Sequence, residues 1–166
     1  MRLTAEIRYE ADPTATFAML LDTDFQERKC LANGALEHEV EVEEFDDGGA
    51  TVTTRRAMPT DQVPDFIRTF VGQKMWVTEI QDWEAPTEGG HRSGTVVVEI
   101  DGAPVRFTGS LRLAADGSTG TVETIEGDLK ASVPLIGRKI EDAAAPAIRS
   151  AIKVEQRTGT AWLAER

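Results

Sequence analysis

Few side chains in this chain can do acid–base or nucleophilic chemistry from an apolar setting. It has two histidines, His38 and His91, and one cysteine, Cys30. His38 alternates with Glu37, Glu39, Glu41 and Glu43, so it shares a strand face with Leu36, Val40 and Val42. A buried imidazole needs a partner for each ring nitrogen. Its plain role is a satisfied core histidine; its chemical role is a hydrogen bond to a ligand or proton transfer near neutral pH. Arg56 shares parity with Val52 and Met58, and a buried guanidinium must be paired. Glu79, on the parity of Met75 and Val77, is the candidate partner. Arg56 either reaches water at a strand end or anchors a carboxylate at a pocket mouth. An apolar pocket with one such anchor suits a fatty acid or another amphipathic acid.

The remaining candidates carry less. Cys30 would need a spatial partner such as His38 to act as a nucleophile. His91 lies beside a Gly-Gly turn and is expected to face water. Trp76, Trp83 and Phe107 could line a pocket by stacking, although aromatics in a sheet are most simply core. Two histidines and one cysteine form neither a CxxC nor an HExxH spacing, and no phosphate-cradling glycine motif follows a strand. No metal and no cofactor is therefore expected.

Composition sets the outer limits. The 166 residues are expected to form one domain, 1–166, with a substantial core. A net charge of −11 argues against nucleic acid and anionic membrane surfaces, which demand clustered Lys and Arg. The single cysteine excludes an internal disulfide and, with the acidity, points to the cytoplasm. No apolar run is long enough to span a membrane, and the first residues enter an alternating strand rather than a signal segment. Oligomeric state is open.

The elements that must position these side chains are legible from periodicity. A long amphipathic helix is predicted over residues 134–166. Ile136, Ile140, Ala143, Ala147, Ala151, Val154, Thr158 and Trp162 recur at helical spacing, and Ala144, Ile148 and Ile152 widen the stripe. Pro134 suits a helix start, Ser132 lies close enough to cap it, and Pro146 should bend it. The small side chains in its middle mean either close approach to a sheet or a cavity beneath. Ahead of it, residues 2–10 alternate as a strand. Asp12-Pro13 caps a first short helix carrying Phe17, Leu20 and Leu21; Thr23 with Gln26 forms a capping box for a second, ended by Asn33-Gly34. Alternating strands joined by Gly and Asp turns follow, indicating an antiparallel sheet. The connection 59–72 contains a short helix begun by Pro64 and stopped by Gly72. It carries Phe66 and Phe70 and is a candidate lid. The row Glu37, Glu39, Glu41, Glu43 and Glu44 reads as a solvated face that resists edge aggregation.

The stretch Val133-Pro134-Leu135-Ile136-Gly137-Arg138-Lys139-Ile140-Glu141, the late Trp162-Leu163, and in support Trp83, Gly109, Leu111 and Gly120-Thr121 resemble the START-like (SRPBCC, helix-grip) superfamily. Within it, the chain resembles an actinobacterial family of uncharacterised proteins. The resemblance implies an α+β fold: a curved antiparallel seven-stranded sheet wrapped around a long C-terminal helix, with two short helices after the first strand. It also implies a pocket between sheet and helix, lined by Ala144, Ala147, Ile148 and Ala151. Relatives carry lipids, sterols, plant hormones or polyketides, and some are cyclases or hydrolases. The expected ligand-binding set is His38, Val40, Arg56, Phe66, Phe70, Trp76, Trp83, Phe107, Ile140, Ala144, Ala147, Ile148 and Ala151. The expected partner is a small hydrophobic ligand. The alternatives are a polyketide cyclase- or dehydratase-like enzyme using His38 with Glu79, and a protein-interaction module with a filled core.

Overall fold

The computed structural model describes residues 1–166. The order is β1 (Arg2–Tyr9), α1 (Pro13–Leu20), α2 (Thr23–Ala32), β2 (Glu37–Glu44), β3 (Ala50–Pro59), α3 (Asp65–Val71), β4 (Lys74–Trp83), β5 (Arg92–Ile100), β6 (Val105–Asp116), β7 (Gly120–Ala131) and α4 (Gly137–Ala164). All seven strands form one curved antiparallel sheet in the order β1-β7-β6-β5-β4-β3-β2. The expected helix-grip architecture is therefore present. Strand β2 is an edge strand, and Glu37, Glu39, Glu41 and Glu43 are exposed along it, where charge discourages pairing with another chain.

Local chemistry explains most boundaries. The Asp12 side chain accepts from the Ala15 N–H at 2.8 Å, and Pro13 opens α1. Helix α2 departs from the expected capping box: Asp22 caps it by accepting from the Asp24 N–H. Gln26 is drawn inside, where its Nε2 donates to the Leu20 carbonyl at 2.7 Å. Buried polar atoms must find partners, and the carbonyl at the end of α1 is the nearer one. Helix α3 begins after Pro64 and ends at Gly72, whose φ of 70° favours glycine. Leu36 corrects another expectation: it precedes β2 and is exposed rather than inward.

The long helix begins at Gly137, three residues after Pro134. Residues 133–137 form a turn closed by the Gly137 N–H on the Val133 carbonyl, and Leu135 within it has a φ of 70° and is fully exposed. Gly137 passes so close to β7 that a Cβ there would stand 2.5 Å from the Ala131 carbonyl oxygen. Ser132 does not cap the helix; its N–H donates to the Pro104 carbonyl. Glu141 reaches back instead and accepts from the Ala131 N–H at 3.0 Å. The helix runs unbroken through Pro146.

The densest core lies where α4, α1 and α2 cover β1, β7 and β6. Leu3, Ile7, Phe107, Leu111, Leu113, Ile125 and Leu129 from the strands meet Phe17, Leu20, Phe25, Ile140 and Trp162 from the helices. Each such burial contributes about 1.5–3 kcal/mol. Phe17 packs edge-on to Trp83 and Phe25 edge-on to Trp162. No helix is long and apolar enough to cross a membrane.

Candidate functional site

The inner face of the sheet carries a chain of buried charges. Lys29 enters from α2, Glu155 from α4, Glu79 and Gln81 from β4, and Arg56 from β3. The Lys29 ammonium stands 3.1 Å from Glu155 and 3.3 Å from Glu79. Arg56 lies 3.5 Å from the other oxygen of Glu79. Gln81 donates to Glu79 at 2.9 Å and accepts from the indole N–H of Trp83 at 3.1 Å. Burial alone would raise the Glu79 carboxyl, but Lys29 and then Arg56 outweigh it and hold it near about 2. Burial alone would lower the Lys29 ammonium, but Glu155 and Glu79 raise it. The two cations and two carboxylates thus balance.

A fifth buried group departs from this balance. Glu123, on β7, is fully buried, and neither of its carboxyl oxygens has a hydrogen-bond partner. Burial, and next the Glu155 charge, push its carboxyl well above the usual range. The Tyr9 hydroxyl, on β1, is buried without a partner too, and its ionisation is raised by burial, Glu155 and Glu123. One oxygen of Glu155 is likewise unpartnered.

Beyond the charges, the face becomes apolar and half-open. Val98 and Ile100 from β5, Phe66 and Phe70 from α3, and Ala144 and Ile148 from α4 pack against the core yet stay half-buried. Helix α3 meets the start of α4 where the Lys139 ammonium sits 4.3 Å from the Phe66 ring. The Glu79 side chain keeps 14% exposure, so the charged chain ends at this open region rather than behind it.

The expected residues fall into three groups. Arg56, Trp83, Phe107 and Ile140 are buried on the inner face or beneath the helices. His38, Val40, Phe66, Phe70, Ala144, Ile148 and Ala151 are half-buried. His38 pairs in register with Arg56. Trp76 and Ala147 depart from expectation. Trp76 lies on the outer face, with the Arg55 guanidinium 4.0 Å from its ring, because it has the parity of Lys74 and Thr78 rather than of Val77 and Glu79. Ala147 is exposed, turned away from the sheet. The expected Arg56–Glu79 pair is present. Cys30 is fully buried, and burial pushes its thiol up, against a nucleophilic role. His91 is exposed, and its Nε2 accepts from the Ala115 N–H. No group of three or more His, Cys, Asp or Glu is placed to hold a metal ion.

Lys29, Glu123 and Glu155 were not singled out from the sequence. Glu123 had a usable signal, since it has the parity of the inward Ile125. Glu155 had one too, since it lies three residues after Ile152 and seven after Ile148 on the inward stripe; Lys29 lies four residues after Phe25, and the meeting of α2 with α4 buries both.

Space at the two faces of the sheet is distributed unevenly. Between α4 and the β1–β6–β7 region it amounts to about 10 Å³, bounded by Leu3, Phe107, Ile125, Ile148 and Ile152. That is about the space of one water, so the helix and sheet pack closely there. A wider, solvent-open depression of about 450 Å³ lies on the opposite side of the sheet, around the β5–β6 turn, among Glu99, Asp101, Arg106, Thr108, Asp128 and Lys130. It is remote from the buried charges.

Comparison with known proteins agrees with the architecture. Residues 4–163 match the family described as "Protein of unknown function (DUF2505)". Uncharacterised proteins of Mycobacterium tuberculosis and Mycobacterium bovis are 24% identical over 119 residues, covering 71% of this chain and 68% of theirs. A START superfamily protein from Mycobacterium smegmatis superposes with a TM-score of 0.59 at 13% identity, covering 98% of both chains. The Zhui aromatase/cyclase from a Streptomyces species gives 0.62 at 10% identity, covering 97% of this chain and 92% of that one. The lipid transfer and protein localization domain of human StarD13 gives 0.58 at 12% identity, covering 96% and 76%. At these identities the likeness shows the START-like fold alone.

Proposed function

We propose that this chain, which belongs to the DUF2505 family, holds a small hydrophobic or amphipathic ligand against the half-buried apolar surface shared by β5, α3 and the first half of α4. One observation carries the reading. Val98, Ile100, Phe66, Phe70, Ala144 and Ile148 come from three separate elements, pack against the core and stay partly uncovered, and α3 meets the start of α4 where Lys139 lies 4.3 Å from the Phe66 ring. Apolar side chains gathered in this way lose free energy to water that a ligand would recover. That one structural neighbour is titled a lipid transfer domain and another an aromatase/cyclase supports a small-molecule ligand for a chain of this fold.

The charge network narrows the ligand. Arg56 already faces Glu79, so no unmatched cation waits for a fatty-acid carboxylate. A largely apolar, neutral ligand fits better than an acid. A cyclase-like role for His38 with Glu79 has less support: Glu79 is held ionised near about 2 by Lys29 and Arg56, which makes it a poor base.

Native mass spectrometry before and after mild organic extraction tests the reading. The expected result is an extra mass that extraction removes. Returned at one hundred times its dissociation constant, the extracted ligand adds about 2.7 kcal/mol and raises Tm by roughly 5–11 °C at this chain length. A clean mass, together with no thermal shift from a total lipid extract, overturns the reading.

A further inference from the structure

We propose that the exposed face of α4, together with the turn that precedes it, is a docking surface for an anionic lipid bilayer. The whole-chain charge of −11 argues against such a partner, but the charge is not spread evenly. Arg138, Lys139, Arg149, Lys153 and Arg157 are all exposed on α4, and none of them is in an ion pair. Surface cations elsewhere are mostly matched: Arg8 with Asp116, Arg55 with Asp101, Lys74 with Glu37 and Arg106 with Glu99. At 3.6 residues per turn the five α4 cations fall within an arc of about 100°, in a line about 28 Å long. The helix's own acids are withdrawn from that line. Glu155 is buried against Lys29, and Glu141 reaches back to the Ala131 N–H, which leaves Asp142 as the one exposed acid of α4. Packing thus gives an acidic protein one positive face, and clustered cations are what an anionic surface demands.

The turn at the N-terminal end of this line favours a bilayer over other polyanions. Leu135 is fully exposed and has a φ of 70°. It is the centre of a three-residue turn closed by the Ile136 N–H on the Pro134 carbonyl at 2.9 Å, a rare and strained conformation for a leucine. Two unfavourable features therefore coincide on one residue, and the hydrogen bond from the Gly137 N–H to the Val133 carbonyl holds it there. Strain kept in place by its surroundings, in a side chain the core does not use, points to contact outside the chain. A bilayer interface meets both demands: its phosphates answer the cations, and its acyl region takes the leucine. A nucleic acid answers only the cations. The Lys139 ammonium stands 4.3 Å from the Phe66 ring, so the docked face adjoins α3. This surface goes beyond the ligand-binding reading and does not depend on it.

Flotation of the full chain with two kinds of vesicle tests the surface: phosphatidylcholine alone, and phosphatidylcholine with about one third phosphatidylglycerol. The expected result at about 0.05 M salt is at least about tenfold stronger partitioning onto the anionic vesicles, largely lost at about 0.5 M. Arg149→Glu together with Lys153→Glu should lower that partitioning at least about tenfold. Leu135→Gly should lower it about tenfold as well. The same substitution should raise Tm by roughly 2–4 °C, because glycine adopts a φ of 70° without strain. Those opposite signs separate docking from folding. Equal partitioning onto the two vesicles, no partitioning at all, or anionic partitioning that survives the double substitution overturns the proposal. So does anionic partitioning indifferent to Leu135→Gly: charge alone then carries the contact, and a DNA duplex that competes the protein off the vesicles would assign the face to a nucleic acid.

Discussion

Two halves of one concave sheet face are handled differently here. Under α2 and the C-terminal half of α4, the face is sealed. Lys29, Glu79, Glu155 and Arg56 close their charges on one another, and burial pushes the neighbouring Glu123 carboxyl well above its usual range. Toward α3 and the first half of α4, Val98, Ile100, Phe66, Phe70, Ala144 and Ile148 remain half-buried. The same curved sheet is thus closed where α2 and α4 meet over it and less covered where α3 meets the start of α4. Charges are affordable only in the sealed half, because there each has a fixed partner. Under the proposed function, a ligand would cover the apolar surface of the open half.

The sharpest way to break the contrast is to unbalance the sealed half. Lys29→Met leaves Glu79 and Glu155 with Arg56 as their remaining cation. It should cost about 3–5 kcal/mol in urea unfolding at pH 7, with Glu79→Gln in the same chain restoring part of the loss.

Acid should attack the same half. The Glu79 carboxyl is lowered from 4.5 to about 2. Its contribution is therefore complete above about pH 4.5 and is lost as pH falls through about 2. Its size is on the order of 3 kcal/mol, and Glu79→Gln should flatten the acid limb of stability against pH.

Glu123 runs the other way. Its folded value is raised, so folding retains a proton that the unfolded chain releases above about 4.5. Stability should then fall as pH rises from there toward the folded value, by up to about 1.4 kcal/mol per pH unit. Glu123→Gln should remove that slope, which urea titrations between pH 5 and 8 would measure.

The open half should respond in binding rather than stability. Ala144→Trp fills the half-buried side of α4, costs about 1 kcal/mol and should abolish the extractable mass. Ala147→Trp, on the exposed side, should change stability by no more than about 0.5 kcal/mol and leave that mass in place. Equal effects at the two positions would dissolve the distinction between the helix faces.

The alternating strands, the short helices after β1, the turn chemistry and the long C-terminal helix were all legible in the sequence. Their signals are periodicities of about two and 3.6 residues, and these depend only on local geometry. So was the Arg56–Glu79 pair, because strand parity put opposite charges on one face. Trp76 shows the limit of reading aromatics by type: its parity sends it to the outer face, where Arg55 stacks on it. The start of α4 at Gly137 was set by the close approach of that residue to Ala131, which no pattern in residues 134–137 announces. The pairing of Lys29 with Glu155 was beyond the sequence. They stand 126 residues apart in the chain, and each is a solvated helix side chain until α2 and α4 pack and put an ammonium 3.1 Å from a carboxylate. Local pattern determined which elements form and which way their side chains face. Only the packing of distant elements decided which charges are buried, which of them balance, and where the apolar surface is left uncovered, because burial and Coulomb pairing depend on neighbours in space.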